Sequence, residues 1–273
     1  MESRNWNTAS GAEVLALIRG DRGNRPLVDP ALAGGLRAWL QDASYEAGQG
    51  TEPVLATPFQ FGFATPASTR SPVAKLLGQL TTTLFIQRFT APQALDPVMA
   101  ACEQLRGRGM DEAIDELLAS KDRLYMEEIA GQIRRQWPQL PSHWFPRFRQ
   151  PMAVELSGRA LRLYATPSLI LGPPAKTVAS VCLVQTVSGP IMEGHRRGGR
   201  LLALIETLRS GAIPFQVVTN SVDTGEIEAD LIDEAKVIIT TRELASAIVE
   251  GSDLTRPQTH PNILSQPAPG MAA

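Results

Sequence analysis

Apolar residues recur every three to four positions through much of the first half of the chain and every two positions through much of the second. The spacing predicts a short helix over 8–20, with a Ser/Thr start and a Gly stop, and another over 29–43, with Asp29 as N-cap and Pro30 in its first turn. Residues 44–72 are rich in Gly, Pro, Ser and Thr and are expected to form a long loop. A helical block follows over 72–89, 92–110 and 110–137, the last as one or two amphipathic helices. Proline interrupts 138–151 four times, which makes that segment a crossing.

Beyond the crossing the period changes to two. Residues 152–172 alternate around a Ser-Gly-Arg turn, as in a hairpin followed by a third short strand. Residues 180–187, SVCLVQTV, read as a central apolar strand. A helix is expected from about Gly199, ended by Gly211, then a strand over 213–221 and a closing helix over 229–251. The tail from 252 to 273 is polar and Pro-rich and is expected to be disordered. The organisation expected is a mainly helical region over 1–137, an α/β (α+β) core over 138–251 with a mixed sheet flanked by helices, and the tail.

Composition narrows the class. Of 273 residues, 43% are hydrophobic and 20% charged, the balance of a globular chain. The N-terminus lacks the basic-then-apolar pattern of a secretory signal, and no run of 18 apolar residues occurs, so no membrane association is expected. Two cysteines, Cys102 and Cys182, lie far apart, which argues against a disulfide framework, a zinc knot or an iron–sulfur centre and fits a reducing cytoplasm. Net charge is −2, but residues 134–200 carry ten Lys/Arg against two carboxylates, and residues 201–273 carry four against ten. Such a swing describes either two opposed faces that meet, or a middle segment built to bind an anion such as nucleic acid.

No phosphate loop, dinucleotide fingerprint or nucleophile elbow is present. The glycines of GHRRGGR are open to two readings, anion binding at a helix start or close packing of two elements. His195 is likewise either a phosphate contact or a surface residue. His143 sits in the Pro-rich crossing and His260 in the tail, without the pairing of a zinc site. Asp223, Glu226, Glu228 and Asp230 alternate in SVDTGEIEAD, as in a solvated hairpin tip or a set of oxygen ligands for a cation.

Three stretches, WPQLPSHWFPR, AVELSGRALRLYATPSLILGPPAKTVASVCLVQTVSG and HRRGGRLLALIETLRSGAIPFQVVTNSVDTGEIEAD, resemble the C-terminal half of actinobacterial RecB-like proteins of the PD-(D/E)XK nuclease superfamily, over about residues 136–250. The resemblance implies a restriction-endonuclease-like core. It also implies an Asp at the position of Ser168, an acidic residue at Gln185, a Lys at Val187 and a polar or aromatic residue at Leu202. Two carboxylates there would hold Mg²⁺ or Mn²⁺ against a phosphate, and the lysine would stabilise charge. Neutral Ser168 and Gln185 are poor ligands for hard dications, and Val187 donates nothing.

The expectation is therefore a catalytically inactive nuclease-like protein, without a metal cofactor, that serves as a DNA-binding or structural subunit of a DNA-processing or defence complex. Arg147, Arg149, Arg159, Arg162, Arg196, Arg197 and Arg200 would be its phosphate contacts, and a protein partner is expected. The alternative is an active nuclease whose Mg or Mn site is rebuilt from Glu155, Glu193 and Glu206.

Overall fold

The computed structural model describes residues 14, 16, 28–46, 54–56, 72–91, 93–140, 144–156, 161–172, 181–187, 189–222 and 224–249. The helix expected at 8–20 lies outside these residues except for Val14 and Ala16, which are helical. The 252–273 tail, Arg159, His143, Ser188, Asp223 and His260 also lie outside them.

The elements run α1 (Pro30–Glu46), β1 (Val54–Ala56), α2 (Pro72–Thr90), α3 (Pro97–Leu105), α4 (Asp111–Ala119), α5 (Asp122–Gln136), β2 (Arg147–Phe148), β3 (Met152–Leu156), β4 (Leu161–Ala165), β5 (Leu169–Leu171), β6 (Cys182–Val187), α6 (Glu193–Ser210), β7 (Gln216–Ser221), β8 (Ile227–Leu231) and α7 (Glu234–Val249). Several ends follow from local chemistry. Asp29 accepts a hydrogen bond from the Ala31 amide at 2.7 Å, ahead of Pro30, and Asp96 accepts one from Met99 at 2.9 Å, ahead of Pro97. Gly211 closes α6 at φ 74°, a left-handed conformation that glycine enters without a Cβ penalty.

Three readings change. The segment 44–72 contributes β1, which pairs in parallel with β4. Helix α6 begins at Glu193, six residues before Gly199, because the Met192 amide donates to His195 Nδ1 at 3.1 Å and the His195 amide to the Met192 carbonyl at 2.9 Å. Residues 227–231 are strand β8, antiparallel to β7, and the closing helix starts only at Glu234.

The architecture is mixed α+β. One sheet has the order β2-β5-β6-β7-β8, with β6 and β7 parallel and the other neighbours antiparallel. Helix α6 is the crossover that a parallel β6/β7 pair requires. A second sheet has the order β1-β4-β3, and β3 alternates buried and exposed residues along its length.

The larger sheet divides two cores. Leu169, Leu171, Cys182, Val184 and Val218 point to one face, where they meet the helices α2 to α5 through Leu80, Phe85, Ile114, Met126 and Trp137. Ile170, Leu183 and Val217 point to the other, where they meet α1, α6, α7 and the β3–β4 hairpin through Leu36, Leu40, Leu163, Leu204 and Leu244. Both cores therefore draw on segments from either side of residue 137.

An aromatic cluster anchors the first core. Trp137, fully buried, meets Phe85 edge-on with centroids 4.8 Å apart, and Phe148 of β2 stacks on Phe89 at 5.7 Å. Helix α5 is tied to the β7–β8 turn as well: Gln136 donates to the Gly225 carbonyl, and Gly225 has φ 73° with the Gln132 amide packed where a Cβ would stand.

Candidate functional site

Strand β6 is buried along its first half and half-buried over Gln185, Thr186 and Val187. Here the central strand comes to the surface, and the two-residue period sends neighbouring side chains to opposite faces.

Gln185 faces α6. Its Nε2 donates to the His195 carbonyl at 2.7 Å and to Thr219 Oγ1 of β7 at 2.7 Å. Gly199 clears the space for this amide, since a Cβ on Gly199 would stand 3.0 Å from Nε2. Of the two readings of the glycine pair, close packing of helix on sheet is the one with a contact to support it at Gly199.

Thr186 faces α2. Its Oγ1 lies 2.8 Å from Ser168 Oγ and 3.2 Å from Thr82 Oγ1, and its amide donates to Ser168 Oγ at 3.1 Å. Ser168 and Gln185, the two positions where the resemblance implies metal-binding carboxylates, are thus engaged with different partners. Val187 carries no polar side-chain group, and its carbonyl accepts from the Val222 amide at 3.3 Å. Leu202 is buried in the second core.

Six of the seven arginines lie within the described residues, and they separate into distinct environments. Arg196 Nε lies 2.8 and 3.0 Å from the two carboxylate oxygens of Glu228, and its Nη1 lies 3.5 Å from Glu193. That Glu228 hydrogen bond, set against burial, raises the Arg196 pKa above its ordinary value. Arg200 pairs with Asp230 at 3.2 Å and Glu193 at 3.3 Å, and Arg197 pairs with Glu243 at 3.5 Å. Arg162 lies 3.9 Å from Glu155 with both side chains about half exposed.

The charge swing seen in the sequence is therefore closed in part inside the fold, where Arg196, Arg197 and Arg200 meet acids of the last segment. Arg196 and Arg200 are four apart on a helix, and Glu228 and Asp230 are two apart on a strand. Both spacings advance about 6–7 Å, so the two pairs lie in step. That matching period was the signal in the sequence that links SVDTGEIEAD to GHRRGGR.

Arg147 and Arg149 have no carboxylate partner among the described residues. Arg147 donates to Gln150 Oε1 at 3.2 Å and to the Gly172 carbonyl at 3.5 Å, and burial lowers its pKa despite attraction from Glu206. Arg149 has φ 45°, a left-handed backbone uncommon for a residue with a Cβ. It reaches Thr83 Oγ1 at 3.1 Å, while its amide donates to the Ser168 carbonyl at 3.2 Å. Burial, reinforced by nearby Arg108, lowers its pKa.

The three acids of the alternative site do not converge. Glu206 is buried and held by Arg209 at 2.8 Å, Glu193 pairs with Arg196 and Arg200, and Glu155 faces Arg162. Among the described residues, no group of three or more His, Cys, Asp or Glu side chains has the arrangement of a metal site. No helix there is long and apolar enough to cross a membrane.

No family model matches the chain, and no curated protein matches it. Among solved structures, a chain described as "Crystal structure of SSO0001" aligns with it at a TM-score of 0.31 and 12% sequence identity, covering 78% of this chain and 84% of that one. At that score the likeness carries no argument about fold or activity.

Proposed function

We propose that the chain is a catalytically inactive, nuclease-like subunit that binds DNA through the β2 edge of its sheet. The observation that carries the inactive reading is the pair of hydrogen bonds donated by Gln185. Both acceptors, the His195 carbonyl and the Thr219 hydroxyl, are met by N–H groups. A carboxylate has no N–H to give, so a metal-binding acid at this position would face the His195 carbonyl oxygen with its own negative charge. The strand end is built around a neutral amide. The succession β5, β6, α6, β7, with its single parallel pair, supports the restriction-endonuclease-like reading of the core.

DNA contact falls on Arg147 and Arg149, because Arg196, Arg197 and Arg200 spend their charge on Glu228, Glu243, Asp230 and Glu193. The same pairing favours a second reading, in which the charge-balanced α6 face leaves the fold to act as a platform for a partner protein.

The test has two parts. Labelled single- and double-stranded DNA is incubated with Mg²⁺ or Mn²⁺, and cleavage by the wild-type chain would overturn the inactive reading. Fluorescence anisotropy without metal, over a salt series, then measures binding. Affinity that falls steeply with salt, and falls about tenfold or more in Arg147→Ala/Arg149→Ala, supports DNA contact at β2. Absence of binding at low salt selects the platform reading.

A further inference from the structure

Gln87 of α2 is 2% exposed, and neither its Nε2 nor its Oε1 has a hydrogen-bond partner. A buried amide in this state forfeits hydration at both donor and acceptor, so folded proteins rarely keep one without something to pair it. Gln87 lines a recess between α2, α3 and α5 of about 10 Å³, room for one water-sized group. Pro97, Ala130 and Arg134 are shared by this recess and an open pocket of about 310 Å³ beside it.

Two guanidinium groups stand at the junction. Arg88 lines the recess and donates its Nε to the Trp137 carbonyl at 2.8 Å. Arg134 lines both spaces and donates to the Ala94 carbonyl at 2.8 Å. Each is held by a neutral oxygen, and among the described residues neither has a carboxylate partner. Burial, and then the neighbouring Arg134, lower the pKa of Arg88. The carboxylates of the outer pocket, Asp96 and Glu127, are each taken by Arg123 at 2.9 Å.

We propose that the recess and the pocket beside it together bind a phosphate group that retains a proton, with only its P–OH oxygen seated in the recess against the Gln87 amide and the charge balanced by Arg88 and Arg134. The stereochemistry of the amide selects the ligand. Nε2 needs an acceptor and Oε1 needs a donor, and a P–OH oxygen is both. Sulfate offers acceptors only, so it leaves Oε1 unpaired. The outer pocket has space for the substituent of a phosphate ester, so free phosphate and a monoester share the same chemistry.

The experiment is isothermal titration calorimetry of the full chain with inorganic phosphate, methyl phosphate and sulfate at matched ionic strength. Saturable binding of phosphate to one site is expected, with sulfate weaker by about tenfold or more for want of one hydrogen bond to a buried group. Methyl phosphate that binds as well as phosphate assigns the site to esters, and weaker binding assigns it to the free ion. Gln87→Leu and Arg134→Ala are each expected to weaken phosphate about tenfold with unchanged circular dichroism. Arg134 is exposed, so its variant decides the matter even where Gln87→Leu alters the fold. Phosphate that gives no saturable heat, binds no better than sulfate, or binds equally well to Arg134→Ala would overturn the proposal and leave the recess to a water molecule.

Discussion

Gly199 leaves open the volume that the Gln185 amide fills, and a Cβ placed on Gly199 would lie 3.0 Å from both Gln185 Nε2 and Val217 Cγ1. Two effects oppose each other in Gly199→Ala. Alanine gains up to about 1 kcal/mol of helix propensity. The clash meets a buried valine on one side and an amide fixed by two hydrogen bonds on the other, and overpacking of this kind costs about 1–3 kcal/mol. The clash wins: urea unfolding of Gly199→Ala is expected to show a lower midpoint than wild type. A higher midpoint would mean that α6 does not press on β6 as described.

Acidification is expected to destabilise the protein through His195. Burial, set against hydrogen bonding to the Pro190 backbone and aided by Arg196, holds the imidazole below its ordinary pKa of 6.5. The unfolded chain therefore takes up a proton more readily than the folded one. This contribution is complete above about 6.5 and is lost as pH falls from there through the folded pKa. The neutral ring also accepts the Met192 amide at 3.1 Å, which a doubly protonated ring cannot do. His195→Asn keeps an acceptor and removes the titration, so its urea midpoint is expected to vary less than that of wild type from neutral pH to about 5. Parallel pH profiles for the two proteins would assign the acid sensitivity elsewhere.

The pairing of α6 with β8 is expected to be worth little per bond and to differ between its two rungs. A double-mutant cycle on Arg196 and Glu228 is expected to give a coupling of about 0.5–1 kcal/mol, since both side chains are part-exposed. Arg200→Ala is expected to cost less than Arg196→Ala, because Lys236 Nζ still holds Asp230 at 2.6 Å. Equal costs from thermal or urea denaturation would contradict that sharing.

Trp137 tests the anchoring of the helical layer. Trp137→Ala is expected to cost about 3–5 kcal/mol, as it removes a fully buried ring set against Phe85 and Phe89. Trp137→Phe is expected to cost far less than that: it keeps an aromatic ring and removes an indole N–H that has no partner. Denaturant unfolding of both variants decides the order.

The helices with clear three-to-four spacing were legible because their signals are local. Asp29 with Pro30, and Gly211 at φ 74°, act on residues within one turn, and strand β6 is marked by its own run of apolar residues. Local signals misled where distant contacts outweighed them. Residues 229–231 have the composition of a helix start, yet they belong to β8, where Asp230 answers Arg200 and Lys236. The glycine pair at 198–199 lowers helix propensity, yet α6 runs through it because the second glycine fits over Gln185 and Val217.

By itself, the sequence determined the two periods, the caps at Asp29 and Gly211, the change from helices to strands after residue 137, the opposed charge blocks and the neutral residues at 168, 185 and 187. Each depends on side-chain type and on neighbours a few positions away. Only the tertiary structure decided that α1 packs with α6 and α7, that β1 joins β4, that Arg196 and Arg200 meet Glu228 and Asp230, and that Gln185 and Ser168 take separate partners. These are contacts between residues far apart in the chain. They are set by sheet register and by which faces bury together, and no local period carries that information.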